Sequence, residues 1–295
     1  MASSSSNSNP LYHSRSISLP SRPNPLAVNV DEQAKRLAAA SSSVATAPSS
    51  SSSSSVSTSL SELRDLYDSI NALLELPHTR QILSRENHKD QAVDGLLGSS
   101  LCFLDVCSVA KDALLQRREQ AQDIQSVLRR KRGDESELVK ESAKYLALEK
   151  TLKRAISKSL RDLKKKTTAL SNLSPTFGML REVEMASAAV LGSLLSFLSG
   201  QKAQSRVSSW SLMSKLMVSS KRVNPEESSE FGNVDSMLQA LVHGKRGKCF
   251  SVGREELLNE LRRMESSIQD LEEELESVLR SIIRTRAVLL NIFTN

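Results

Sequence analysis

The sequence predicts an all-α protein: an elongated helical bundle of antiparallel, coiled-coil-like hairpins behind a disordered Ser-rich N-terminal arm. Three observations carry this. The 295 residues are 39% apolar but only 3% aromatic, and clusters of β-branched or aromatic residues are almost absent, which argues against an all-β fold. Eight Pro and ten Gly are few for such a length, so long helices run uninterrupted. From Leu60 onward, Leu recurs every three or four residues, the period of a helix with one buried face.

Composition divides the chain near residue 58. Residues 1–58 hold 20 Ser, five of the eight Pro and one aromatic, Tyr12. Such a segment buries too little apolar surface to offset its ordering entropy, so residues 1–58 read as a disordered arm and 59–295 as the helical domain. Val30 to Ala40 has helical composition within that arm. The Ser run 49–55 reads as a flexible spacer.

The remaining prolines and the Gly clusters punctuate the helices. Ser59 or Ser61 caps a first helix running to about Leu76, and Pro77 and His78 close it. A short turn of helix follows around Thr79–Arg85. A long helix runs from about Lys89 to Arg132 and ends at Gly133. Asp134, with Glu137 three residues on, resembles the capping box of the next helix, which continues to about Leu170. Asn172 to Gly178, containing Pro175, reads as a loop. A fourth helix covers Met179 to Met217 with Gly200 as an interruption. Residues 219–232 form a polar linker, Val234–His243 a short helix, and Gly244–Gly253 another loop. The last helix covers Arg254 to Asn291.

That last helix carries the strongest pattern. Leu257, Leu261, Met264, Ile268, Leu271, Leu275, Val278 and Ile282 alternate in spacings of four and three, a 3.5-residue repeat that predicts a coiled-coil seam. The seam closes within one chain or between two copies, so a homo-oligomer is one expected partner state. Matching stripes are Tyr145, Leu148, Leu152, Ile156, Leu160 and Leu163, and, before Gly133, Leu97, Leu101, Leu104, Leu114, Ala121, Ile124 and Leu128. Antiparallel hairpins bury such stripes together. At 1.5 Å per residue a 40-residue helix is about 60 Å long, so the expected shape is a rod.

Charge supports the pairing. The chain carries 40 Lys plus Arg against 34 Asp plus Glu, a net charge of +6. Lys111 to Lys166 holds 17 basic and 9 acidic residues, while Arg254 to Arg280 holds 4 and 9. A basic hairpin and an acidic terminal helix neutralise each other within one bundle. The runs Arg129–Arg132 and Lys164–Lys166 then read as helix-end cations and a self-paired face. The alternative for Arg129–Arg132 is nuclear import. Nucleic-acid binding is disfavoured, because the basic segments hold a single aromatic, Tyr145, and offer no stacking platform.

Residues 185–201 are uncharged for 17 positions, but four Ser and two Gly weaken them as a membrane span, which needs about 20 predominantly apolar residues. Small residues at Gly192, Ser193 and Ser196 suit close packing in a buried central helix. Membrane association through 185–201 is the alternative. The start Met-Ala lacks a myristoylation Gly, no signal-peptide apolar core follows, and Asn291–Asn295 carries no prenylation Cys, so a soluble, cytoplasmic protein is expected.

The search for catalytic chemistry leaves no candidate catalytic, cofactor-binding or metal-ligating residue. The sequence has no phosphate-cradling Gly loop, no nucleophile elbow and no His-Glu-x-x-His. His13, His78, His88 and His243 are scattered, none beside a second ligand at metal spacing. Three Cys (Cys102, Cys107, Cys249) do not make a disulfide scaffold. Cys102 and Cys107 lie about 140° apart around a helix, so they read as core fillers. A non-enzymatic interaction protein without a cofactor is the expectation.

One arm motif carries chemistry. Arg15-Ser16-Ile17-Ser18-Leu19-Pro20 places Arg15 three residues before Ser18 and Pro20 two after it. A basophilic kinase uses such an Arg as anchor, making Ser18, with Ser16 beside it, the candidate phosphosite. Phosphorylated Ser18 resembles a 14-3-3 ligand, gripped by an Arg cluster with Pro20 redirecting the chain.

Three segments connect these residues to a family. They are the arm stretch Tyr12–Pro25, then Leu66-Tyr67 leading to Leu74-Glu-Leu-Pro77-His-Thr79, and the ending Arg284-Thr-Arg-Ala-Val-Leu-Leu-Asn-Ile-Phe293. Together they resemble the plant-specific family of unknown function that includes the BYPASS-related proteins, over nearly the whole chain from Tyr12. Asn24 departs from the pattern, where the family usually has His. The resemblance implies a plant protein linked to root and shoot development, and supplies no enzymatic activity, cofactor or catalytic residue.

Overall fold

The computed structural model describes residues 24–44, 52–85, 90–130, 135–166, 175–200, 230–243 and 250–294. They form α1 (Pro25–Val44), α2 (Ser53–Glu75), α3 (Pro77–Arg85), α4 (Asp90–Arg129), α5 (Glu135–Lys166), α6 (Pro175–Ser199), α7 (Glu230–His243) and α8 (Phe250–Thr294). No strand occurs among the described residues. At 40 and 45 residues, α4 and α8 are about 60 and 68 Å long.

Helix ends follow backbone chemistry. Asn24 Oδ1 accepts from the Leu26 amide at 3.0 Å, and Pro25 opens α1, where its missing N–H costs nothing. Ser52 Oγ accepts from the Ser55 amide at 3.3 Å. Leu76 is extended (ψ 130°) because the residue before a proline is pushed out of the helical region, so α2 stops there and Pro77 starts α3. Glu135 and Glu137 in the first turn of α5 complement its dipole. The α4 C-terminus is capped from a distance: Arg254 of α8 donates to the carbonyls of Leu128 (2.7 Å) and Arg130 (3.1 Å). Gly200, at φ +63°, ends α6 and donates its amide to the Phe197 carbonyl at 3.0 Å.

Four helices close a ring, in which α8 lies between α2 and α4, and α6 completes the circuit between the same two. α1 covers α6 and α2, α5 covers α4 and α6, and α7 bridges α5 and α8. All eight seam residues of α8, from Leu257 to Ile282, are at most 2% exposed, and they face helices of their own chain. Each such burial contributes about 1.5–3 kcal/mol. α2 and α8 are also joined by a polar contact in the core, the Thr285 hydroxyl donating to Asn71 Oδ1 at 2.9 Å.

Residues 185–199 of the 185–201 run form the C-terminal part of α6, Gln201 lying outside the described residues, and Ala186, Val190, Leu191, Leu194 and Leu195 are fully buried. By length and composition alone, Ala92–Arg129 and Thr176–Ser199 are each apolar enough to cross a membrane. In the bundle, α6 packs against α1, α2, α4 and α5.

Several expectations need correction. Two parts of the arm assigned to 1–58 are helical: Pro25–Val44, and the first turns of α2 from Ser53. Val30, Ala34 and Leu37 are buried against the bundle, a three-residue stripe too short to outweigh the Ser-rich composition until α6 and α2 supply its partners. At the Ser-rich start of α2 the hydroxyls bond back to the preceding turn, as Thr58 does to the Ser54 carbonyl at 2.9 Å, while Val56 and Leu60 are buried in the bundle. Ser53 also reaches Glu230 of α7 (2.9 Å) and Ser267 of α8 (3.1 Å). Pro175 starts α6 rather than sitting in a loop, since proline suits the first helical position. The expected continuation to Met217 lies, beyond Gly200, outside the described residues.

The leading half of the α4 stripe is displaced. Leu101 is 49% exposed and Leu97 and Leu104 are half-buried, while Leu96, Phe103, Val106, Cys107 and Ala110 face the core. Phe103, Val106, Cys107 and Ala110, rather than Leu101, carry that face.

Candidate functional site: a buried charge network

In the middle of α4 the apolar stripe Leu114, Ala121, Ile124 is interrupted by Arg117, which occupies the core position between Leu114 and Ala121 and is 1% exposed. On α5, Glu149 likewise takes a core position between Tyr145 and Leu152 and is 4% exposed. Helix periodicity makes the two meet. Arg117 Nε donates to Glu149 Oε1 at 2.5 Å and Nη2 to Oε2 at 2.9 Å, a bidentate fork. Nη2 also donates to the Leu198 carbonyl at 2.6 Å, one of the last acceptors of α6. The guanidinium carbon lies 5.0 Å from the centre of the Phe231 ring of α7, and Phe231 packs edge-on against Phe197.

Lys153, one turn beyond Glu149, joins the network to α7. Its Nζ lies 2.8 Å from Asp235 Oδ2 and 3.6 Å from Glu149 Oε2. Burial and the neighbouring Glu149 charge raise the Asp235 pKa, with Lys153 and Arg117 opposing. For Arg117, burial disfavours the charged form but is outweighed by the Glu149 hydrogen bond and charge, so its pKa is raised. Burial and Glu149 push the Tyr145 phenol well above its usual range, and its hydroxyl lies 3.7 Å from Met264 Sδ of α8. The cluster thus ties α4, α5, α6 and α7 with one set of paired charges.

A second buried carboxyl, Glu184 of α6, is raised by desolvation against the pull of Ser99 and Arg181, whose Nη1 lies 3.2 Å from Glu184 Oε2. Tyr67 shares a buried hydrogen bond of 3.0 Å with Ser187. Burial pushes the Cys107 thiol up to about 12, which makes it inert at neutral pH, and Cys107 and Cys102 are both free thiols.

Among the described residues, the ion pairs from the basic hairpin to the acidic α8 come from α4. Lys111 reaches Glu276 of α8 at 2.6 Å, and Arg118 pairs with Glu272. Arg64 of α2 adds Glu274 at 3.3 Å. Among the described residues, ion pairs of α5 run to α4, to α7 or within α5 itself. In the Arg129–Arg132 run, Arg129 donates to Gln125 Oε1 at 2.7 Å and Arg130 to Glu137 at 3.4 Å. These line a surface cleft of about 460 Å³ with Gln122, Ser126 and Glu265, whose carboxylate is held low by the Gln122 and Gln125 amides. Lys131 and Arg132 lie outside the described residues, as do Arg15, Ser16, Ser18 and Pro20.

Sequence reasoning missed the Arg117–Glu149 pair. Its signal was present, since both charges fall on seam positions, but a charge in a long helix reads first as solvated.

A family model described as Protein BPS1 matches residues 59–292. The chain belongs to that family. The match covers the ring helices and the charge network of this BPS1-family chain, and it agrees with the BYPASS-related resemblance of the motifs. No curated protein and no solved structure is significantly similar to it.

Proposed function

We propose that this BPS1-family protein is a non-enzymatic regulatory and interaction protein of the plant cytoplasm, linked to root and shoot development and tuned by phosphorylation of its N-terminal arm. The observation that carries this reading is the use made of buried charge. Arg117 binds Glu149 and the Leu198 carbonyl, and Lys153 pairs with Glu149 and Asp235, so these buried charges join α4, α5, α6 and α7. The coiled-coil-like seam of α8 is covered by α2, α4 and α7. A homo-oligomer therefore uses another face, and recruitment falls to the outer faces and the arm. There Arg15, Ser18 and Pro20 have the spacing of a 14-3-3 ligand.

The test is affinity purification of the tagged full chain from plant tissue, with and without phosphatase, beside Ser18→Ala. Phosphatase-sensitive recovery of 14-3-3 proteins, lost in Ser18→Ala, is the expected result. A partner set unchanged by either treatment contradicts the phosphorylated-arm reading.

A further inference from the structure

We propose that the outward face of α5 is a docking surface for an anionic lipid bilayer. Lys140, Lys144, Lys150, Arg154, Lys158 and Arg161 are all exposed. At 100° per residue they fall within an arc of about 120° and extend over about 32 Å of helix. Between Lys140 and Arg161 the other exposed residues are Ala143, Ala147, Thr151 and Ala155, and the exposed acid Asp162, 3.7 Å from Lys165, bounds the face at its C-terminal end. Glu141 is half-buried against Lys144, and Glu149 is consumed by Arg117. Among the described residues, Lys140, Lys150, Arg154, Lys158 and Arg161 form no ion pair.

The opposite face of α5, with Leu138, Tyr145, Leu152 and Ile156, packs into the bundle, so the charged ridge has a rigid backing. Its shape selects the partner. A basic helical ridge flanked by small residues presents its charges to an extended surface, and that charge complements anionic headgroups. Lysine, four of the six, suits diffuse attraction to such a surface better than bidentate recognition of single phosphates. Single-stranded nucleic acid asks for a groove with exposed aromatics, and Tyr145, the one aromatic of α5, is buried. Each basic side chain near an anionic leaflet is worth about fivefold in partitioning, so six together give stable but salt-sensitive attachment. This surface is separate from the apolar run of α6, which is interior.

The experiment is co-sedimentation of the full-length protein with phosphatidylcholine vesicles with and without phosphatidylserine, at low and high salt. The variants are Lys150→Gln/Arg154→Gln/Lys158→Gln/Arg161→Gln, and a control with Arg262→Gln/Arg263→Gln/Arg280→Gln/Arg284→Gln on α8, which removes the same net charge. Circular dichroism and a melting curve establish that each is folded, and these exposed sites tolerate the change. Expected are binding to phosphatidylserine vesicles only, release at high salt, and a loss of about a hundredfold or more in the α5 variant against little change in the control. Failure to bind the anionic vesicles overturns the proposal. So does binding that survives high salt and the α5 substitutions, which would point to apolar insertion. Equal loss in both variants, or α5-dependent binding to an oligonucleotide without vesicle binding, overturns it as well.

Discussion

The Arg117 guanidinium spans both carboxylate oxygens of Glu149, at 2.5 and 2.9 Å, in a place where the surrounding stripe is otherwise apolar. Removing one partner strands the other charge in the core. Glu149→Leu is expected to cost about 3–5 kcal/mol of folding stability. The double variant Arg117→Met/Glu149→Leu should recover most or all of that loss, because a well-packed apolar pair needs no compensating charge. Urea unfolding followed by circular dichroism measures both. A double variant as unstable as the single would show that the pair acts through its contacts to Leu198 and Phe231 instead.

Glu184 supplies a pH dependence. Burial raises its folded pKa above the ordinary 4.5, so the native state holds this proton over a range in which the unfolded chain has released it. Stability therefore falls as pH rises from the ordinary carboxyl value through the raised one. Relative to the parent, Glu184→Gln should gain stability as pH rises across that window. The urea midpoints of the two proteins, compared from about pH 4 to pH 7, check the sign, and a difference constant with pH contradicts it.

The α8 seam and its flank should respond very differently to truncation. Ile268 is fully buried and Ile283 is half exposed. Ile268→Ala is expected to cost about 2–5 kcal/mol, and Ile283→Ala about 0.5 kcal/mol or less. Equal costs would mean that the seam is not where the structure places it.

Gly200 turns the chain at the end of α6 with φ +63°. An added Cβ meets no close neighbour, the nearest atom being Lys153 Cε at 3.9 Å, so Gly200→Ala tests backbone strain alone. A loss of about 1 kcal/mol in the melting analysis is the expected result.

Cys107 sits in the core with its thiol pushed up to about 12. Iodoacetamide at mild alkaline pH should leave Cys107 unmodified in the folded protein and label it in urea, as peptide mass spectrometry will record.

The helical class, the order of the elements from α2 onward and the buried face of α8 were legible in the sequence, because period and punctuation are local signals. Leu257 to Ile282 could be read off directly, since every position of that repeat is a large aliphatic residue or Met. α4 was harder. Its buried face is written in Phe103, Val106, Cys107 and Ala110, and following leucines alone led to exposed Leu101. α1 was hidden because Val30, Ala34 and Leu37 gain their stabilisation from a surface that only the folded bundle creates. Arg117 and Glu149 were passed over for a related reason: each is costly in the core alone and acceptable only when opposite the other.

The claim that binds the account together is that α6 and the α8 seam form one closed core within a single chain. Hydrogen exchange on the full-length protein in lipid-free buffer, over a range of protein concentrations, tests it most directly. The account predicts the slowest exchange at 257–282 and 186–198, unchanged on dilution. Protection of 257–282 that grows with concentration, or rapid exchange at 186–198, would contradict it.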